Sequence, residues 1–284
     1  MRSTSEILGR FLSGGLLVAF ASFGLDQGMA RANPRPLPFT YQSETLPKGA
    51  VEVEQFVDLV PVRIVDTSGQ PTWYLASQYQ TEFEVGLTDR LELSLYVTYV
   101  PQPSPGVTNS VPALTEGNGV KQRLRYRLAD PDAWPVDVAL YGEVTENDRE
   151  IELEGKIILQ RRVGRVRFIT NLWAEHELYF NGDREWVLNP TVGVTAELTP
   201  RYHLGLEGWM RAEDKVAGTI VPGVQSRGWV VKPHVFVGPA FMMNFGRMWW
   251  SNGVYLQVTN LDHTQTTTDA YGHLWVRTVV GLSF

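Results

Sequence analysis

From Gly49 to Phe284 the chain alternates apolar and polar positions with a period of two, and the 3.6-residue period of a helix is hard to find. The pattern is cleanest around Val120. Val120, Gln122, Leu124, Tyr126 and Leu128 share one face, and Lys121, Arg123, Arg125 and Arg127 share the other. One face suits hydrocarbon and the other suits water. The same split sets Leu91, Leu93, Leu95 and Val97 against Glu92, Ser94, Tyr96 and Thr98. It returns with Ile151, Leu153, Ile157 and Leu159 against Glu150, Glu152, Glu154 and Lys156, and with Trp186, Leu188, Val192 and Val194 against Glu185, Asn189, Thr191 and Thr195.

These runs predict about twelve strands, near 49–62, 72–86, 90–100, 118–129, 135–146, 149–162, 165–179, 185–198, 201–212, 227–240, 247–259 and 271–284. Most reach the roughly 9–11 residues that a tilted strand needs to cross a bilayer. Connections after the even-numbered strands are tight, at 87–89, 130–132, 163–164, 199–200 and 244–246. Several after odd-numbered strands are long, notably 101–117, 213–226 and 260–269, although those after the fifth and seventh are short. Short turns at one end and long loops at the other characterise a transmembrane barrel whose short end faces the periplasm.

A soluble sandwich or lipocalin also alternates, with its apolar face turned inward. Aromatic residues favour the membrane reading, because they gather near strand ends as an interfacial girdle does. Trp73, Tyr74, Phe180 and Trp186 fall toward the long-loop side, and Trp134, Phe168, Tyr202, Phe241 and Trp250 toward the short-turn side. The expected fold is therefore all-β, a transmembrane antiparallel β-barrel of about twelve strands over 49–284.

The N-terminal region supports export. Arg2 and Arg10 precede the apolar run Phe11–Leu25, and Ala30-Arg31-Ala32 follows, so residues 1–32 read as a signal peptide cut after Ala32. Residues 33–48 are Pro-rich and unpatterned, and are expected as a periplasmic lead-in or a small plug. The whole chain carries a formal charge of −6. Losing Arg2, Arg10 and Arg31 with Glu6 and Asp26 would leave −7, which argues against a nucleic-acid partner. The absence of cysteine excludes disulfides, thiolate metal sites and thiol nucleophiles.

The ending Val279-Val280-Gly281-Leu282-Ser283-Phe284 resembles the C-terminal signature of Gram-negative outer-membrane barrels. That resemblance implies that Phe284, Leu282 and Val280 are read by the barrel assembly machinery. The strand–turn–strand YQTEFEVGLTDRLELSLYVTY at 79–99 is similar to hairpins of the phenol-degradation meta-pathway family of outer-membrane channels. It implies passage of a small-molecule solute. The turn L-T-x-R-x-x-L-x-L recurs at 87–95 and 198–206, where Asp or Pro favours a tight turn.

The strongest candidate chemistry is the row Lys121, Arg123, Arg125 and Arg127. In a lumen of low effective dielectric such a row needs partners, and neighbouring strands offer Glu92 on one side and Asp137 and Glu143 on the other. It reads either as a cross-strand ion-pair ladder or as a basic stripe that attracts anionic solutes. Glu150, Glu152, Glu154, Glu175 and Glu177 are expected to form an opposing acidic wall.

An enzyme is not expected. Trp249-Trp250-Ser251-Asn252-Gly253 resembles the Ser-Asn-Gly part of the outer-membrane phospholipase motif, but Trp249 stands where that motif has its His. A serine without an adjacent base is a poor nucleophile. The five histidines show no HxH or HExxH spacing, so no metal is expected, and no phosphate loop or dinucleotide motif implies a cofactor. The sequence thus predicts a channel for small molecules among outer-membrane lipids. A non-transporting structural or surface-interaction barrel is the alternative, and a lipid-active hydrolase is a third.

Overall fold

A computed structural model describes residues 33–65, 68–100, 118–216, 227–259 and 272–284. The strands are β1 (Val51–Val65), β2 (Pro71–Gly86), β3 (Leu91–Tyr99), β4 (Gly119–Arg127), β5 (Asp137–Asn147), β6 (Glu150–Val163), β7 (Val166–Tyr179), β8 (Arg184–Leu188), β9 (Thr191–Thr199), β10 (Tyr202–Val216), β11 (Arg227–Asn244), β12 (Met248–Gln257) and β13 (Leu274–Ser283). Each pairs antiparallel with its neighbours, and β13 closes on β1 from Glu52↔Ser283 to Leu59↔Val276.

β8 and β9 are two halves of one strand. Both pair with β7 and with β10, and the register runs unshifted from Ala174↔Leu188 to Asn171↔Thr191 and from Ala212↔Leu188 to Trp209↔Thr191. Pro190 lies at the interruption, where its missing N–H removes a ladder bond. The barrel therefore has twelve strands, in agreement with the periodicity.

Parity decides which face is which. On β4 the exposed Val120, Leu124 and Tyr126 point outward, and Lys121, Arg123, Arg125 and Arg127 are buried. Leu140, Ile157, Leu172, Leu204 and Leu256 continue the exposed belt around the wall. A soluble barrel would show the opposite arrangement. In hydrocarbon every backbone donor and acceptor must be met internally, and only a closed sheet does that without helices.

Trp73, Phe180 and Trp186 lie exposed toward one end, and Trp134, Phe168, Tyr202 and Trp250 toward the other. Tyr74 departs from the expected girdle. It packs against an interior cluster, because it alternates with the outward Trp73 and Leu75. Phe284, Leu282 and Val280 sit exposed on the outer face of the closing strand.

The Pro-rich segment is not a periplasmic lead-in. Residues 35–43 are buried inside the barrel, the small plug of the two readings its composition allowed. The physical reason is that lumen side chains meet backbone donors that the segment cannot satisfy by itself. The proposed signal peptide at 1–32 and the long-loop stretches 101–117, 217–226 and 260–271 lie outside the described residues.

Candidate functional site

The basic stripe runs along β4, with Lys121 toward the long-loop end and Arg125 and Arg127 toward the short-turn end, and it is densely paired. Arg123 Nη1 stands 3.0 Å from Glu82 and donates to the Tyr96 hydroxyl at 3.1 Å. Its Nη2 is 2.6 Å from Glu84 and also bonds Glu92 and Ser94. Arg125 Nη2 lies 2.7 Å from Glu92, and Lys121 lies 3.2 Å from Glu143. Arg127 reaches the Asp89 carbonyl at 2.9 Å and Asp130 at 3.5 Å. Glu92 and Glu143 are the adjacent-strand partners expected from the register. Asp137 instead accepts the Asp132 N–H at 2.9 Å.

Glu82 and Glu84 come from β2, two strands away from Arg123. An arginine side chain spans that distance because strands only about 4.8 Å apart curve around a narrow lumen. No local spacing signals such a partner. Arg35, from the plug, joins the same cluster, 3.0 Å from Glu54 and 3.7 Å from Glu82, with its guanidinium 4.0 Å above the Tyr41 ring.

The plug is held by its backbone and by apolar anchors. Glu207 Oε1 accepts the N–H groups of Phe39 at 3.1 Å and Thr40 at 2.5 Å, while Oε2 takes the Tyr255 hydroxyl. Asn171 pairs with Tyr41 as a peptide would, accepting its N–H at 2.7 Å and donating to its carbonyl at 2.9 Å. Further down, Leu46 N–H donates to Glu92 at 2.8 Å and Lys48 N–H to Asp89 at 3.0 Å. Asn33 returns to Gln42 and Glu44, so the segment folds as a hairpin loop with Phe39 near its tip.

Phe39 stacks on Trp209 at 4.8 Å and meets Tyr255 edge-on at 5.1 Å. Leu37 fits where β9 and β10 present glycine. A Cβ on Gly193 would stand 2.5 Å from Leu37 Cδ1, and one on Gly205 2.7 Å from Cδ2. Two inward glycines on paired strands were the available sequence signal for a segment lying against the wall.

The acidic residues lie nearer the long-loop end. Glu150, Glu152, Glu154, Glu175 and Glu177 are all buried and inward. They do not oppose the basic stripe. β6 and β7 are two and three places from β4 around a ring of twelve, so the two groups are adjacent sectors, joined through β5 by Lys121 and Glu143. The shift arises because sheet order follows chain order, so strands close in sequence cannot face one another across the lumen. Lys156 pairs with Glu154 at 2.6 Å and stands 3.4 Å over the Trp173 ring. Arg211 binds Glu213 at 2.6 Å and reaches Glu175 and Glu177 at 3.4 Å.

Ser251 is fully buried in the interior, and its hydroxyl has no hydrogen-bond partner among the described residues. Trp250 and Val254 face outward beside it. His176 stacks on Trp186 at 4.2 Å, and His273 faces Gln257 at 3.1 Å. His203 is buried but is not among the groups that hydrogen-bond Glu207 in the plug seat. His263, Asp262 and Asp269 lie outside the described residues, as does the side chain of Lys232.

A closed twelve-stranded antiparallel barrel with an apolar outer belt and a charged interior defines a bacterial outer-membrane β-barrel protein. The chain belongs to a family of unknown function, DUF6662, whose model matches residues 30–273. No curated protein matches it. Among solved structures it is similar to the COG4313 outer membrane channel from Pseudomonas putida F1, with a TM-score of 0.55 and 12% identity over 85% of this chain and 98% of that one. It is also similar to the NanC porin, at a TM-score of 0.49 and 10% identity over 82% and 98% of the two chains. For the KdgM porin the TM-score is 0.47 and the identity 9%, over 83% and 99%. At such identities the likeness is one of fold.

Proposed function

We propose that this protein is an outer-membrane channel for small solutes, whose short-turn half is closed by the 33–48 plug. The observation that carries this reading is how the plug is held. Its tip is fastened through hydrogen bonds to Glu207 and Asn171 and through side-chain packing, all reversible, with no covalent tie. Similarity to a solved channel of the same architecture supports it.

The charge balance bears on selectivity. Among the described residues, sixteen buried Asp and Glu face seven buried Lys and Arg. The Arg123 stripe spends its charge on internal carboxylates, so it offers little attraction to anionic solutes. An interior with excess carboxylate favours cations, as acidic rings do in cation channels. The preferred solute on this reading is cationic or neutral.

A second reading is favoured by the density of the Arg123 cluster and by the seated plug: a filled, non-transporting barrel with a structural or surface-interaction role. Conductance in planar bilayers separates the two. The channel reading expects low conductance for the intact chain and a severalfold increase when Phe39→Ala is combined with Asn171→Ala, which removes the stacking on Trp209 and the partner of the Tyr41 peptide. Reversal potentials in a salt gradient should show cation preference. Silence from both proteins would leave the filled barrel. A hydrolase would need a base within reach of Ser251. A lipid-hydrolysis assay of Ser251→Ala beside the unaltered chain tests that directly, and equal rates count against it.

A further inference from the structure

A carboxylate buried in a lumen of low effective dielectric needs a cation beside it, because neutral hydrogen bonds leave its charge uncompensated. Near the short-turn end, three carboxylates have one. Glu54 lies 3.0 Å from Arg35, Glu84 2.6 Å from Arg123 and Glu92 2.7 Å from Arg125. Their neighbour Glu52 does not. It is 0% exposed, and among the described residues no Lys, Arg or His side chain forms an ion pair with it. Its side-chain partners are neutral. Trp249 Nε1 donates to Oε1 at 2.9 Å, and the Ser283 hydroxyl donates to Oε2. Glu84, the register partner of Glu52 on β2, places a second carboxylate alongside.

One further group points at Glu52. The backbone nitrogen of Asn33 lies 3.2 Å from its Oε2. Asn33 is fixed there by its own side chain, which donates to the Glu44 carbonyl at 3.2 Å and accepts from Gln42 Nε2 at 2.5 Å. Within a continuous chain that nitrogen is a neutral amide with a single N–H. At the start of a chain it is an ammonium, with three donors and a full positive charge. Ala30-Arg31-Ala32 places small residues three and one positions before the bond to Asn33, which is the pattern a signal peptidase cuts. A cleavage pattern in the sequence and an uncompensated carboxylate in the fold thus meet on one nitrogen.

We propose that removal of residues 1–32 makes the Asn33 α-ammonium the missing cation of Glu52, so that processing completes the plug seat. Hydrolysis by the peptidase adds water across the Ala32–Asn33 peptide bond. The new carboxylate leaves on Ala32, and the freed amine takes up a proton. A charge-assisted bond is roughly twice as strong as a neutral one, and this one ties the first leg of the hairpin to β1, beside the closing strand β13. The segment is then held at both ends, by Glu52 at Asn33 and by Asp89 at Lys48. Only a terminus at Asn33 achieves this, since one extra residue moves the charge roughly 3.3–3.6 Å along the chain.

The test begins with the full-length chain, expressed, purified from outer membranes and sequenced from its N-terminus. Asn33 is the expected first residue, and any other terminus overturns the proposal. Two mature chains are then folded in detergent micelles, one beginning at Asn33 and one at Ala32, each with and without Glu52→Gln. Cleavage within 33–48 by an added protease is timed. With Glu52 intact, the extra residue should speed cleavage roughly tenfold, the change that a contact of about 1.4 kcal/mol makes. In the Glu52→Gln pair the acceptor has no charge, and the extra residue should make little difference. Equal rates for the two chains with Glu52 would overturn the proposal, as would the same acceleration in the Glu52→Gln pair. If Glu52→Gln gives no compact gel band, the Asn33 amine is instead transaminated to a neutral carbonyl before folding, with the Lys side chains untouched. Cleavage should again be roughly tenfold faster, and an unchanged rate counts against the pair. Neither readout is conductance, so the result is independent of whether the barrel passes solute.

Discussion

The two charged sectors of the lumen use the same residue types to opposite effect. Around Arg123, carboxylates from β2 and β3 converge on a guanidinium from β4, and unlike charges meet. Around Glu152, the ladders of β6, β7 and β8 set carboxylate against carboxylate. The first arrangement binds neighbouring strands to each other and to the plug through Arg35. The second spends stability on a concentration of negative charge, which is the kind of cost that sites, more than scaffolds, carry.

The largest expected effect tests the paired side. Arg123→Ala strips a common partner from Glu82, Glu84 and Glu92, and leaving buried charge uncompensated costs about 3–5 kcal/mol. Denaturant unfolding of the micelle-folded barrel should show a loss of that order. A change smaller than about 1 kcal/mol would mean that the cluster relaxes or is hydrated.

The plug seat comes next. Gly193→Val places methyl groups where Leu37 Cδ1 already lies, 2.5 Å from the added Cβ. Overpacking of this kind costs about 1–3 kcal/mol. Here it should be relieved by expulsion of the segment, visible as new protease cleavage within 33–48 and as higher conductance. Unchanged protection would show that the wall yields before the plug does.

The acidic sector should respond with the opposite sign. Glu152→Gln removes one member of a facing pair of like charges and should stabilise the barrel by about 0.2–1 kcal/mol, as read by denaturant unfolding. A loss of stability would erase the contrast between the two sectors.

The smallest effect belongs to the turns outside the membrane. Arg90 hydrogen-bonds Asp130 at 2.8 Å and holds its carboxyl below the ordinary aspartate range. Both groups are exposed, so little stability rides on the pair. A folded-state value depressed below the unfolded one gives a contribution that is present at neutral pH and is lost as pH falls through the depressed value. The difference between the unaltered chain and Asp130→Asn should therefore be small at neutral pH and vanish in acid, as read by the band-conversion temperature.

Much of the fold was legible because strand geometry is local. A period of two assigns each residue to a face, and the outward Leu124 and inward Arg123 follow from it without any tertiary knowledge. Tight links after even-numbered strands likewise showed which end carries the turns. Adjacent-strand partners such as Glu92 and Glu143 were within reach of the same reasoning, since consecutive strands pair. Tyr74 was misplaced when nearness to a strand end was weighed above its parity beside Trp73.

What the sequence by itself determined is the set of residues facing lipid and the set facing inward, together with strand order and the pairing of neighbours. Backbone alternation and short connections dictate these. Only the tertiary structure decided that residues 35–43 lie within the lumen, that Arg123 reaches across to Glu82 and Glu84, and that basic and acidic sectors adjoin instead of facing each other. Those relations depend on how a closed wall curves and on what fills the space it encloses. Curvature brings together residues far apart in the chain, and no period along the chain encodes that distance.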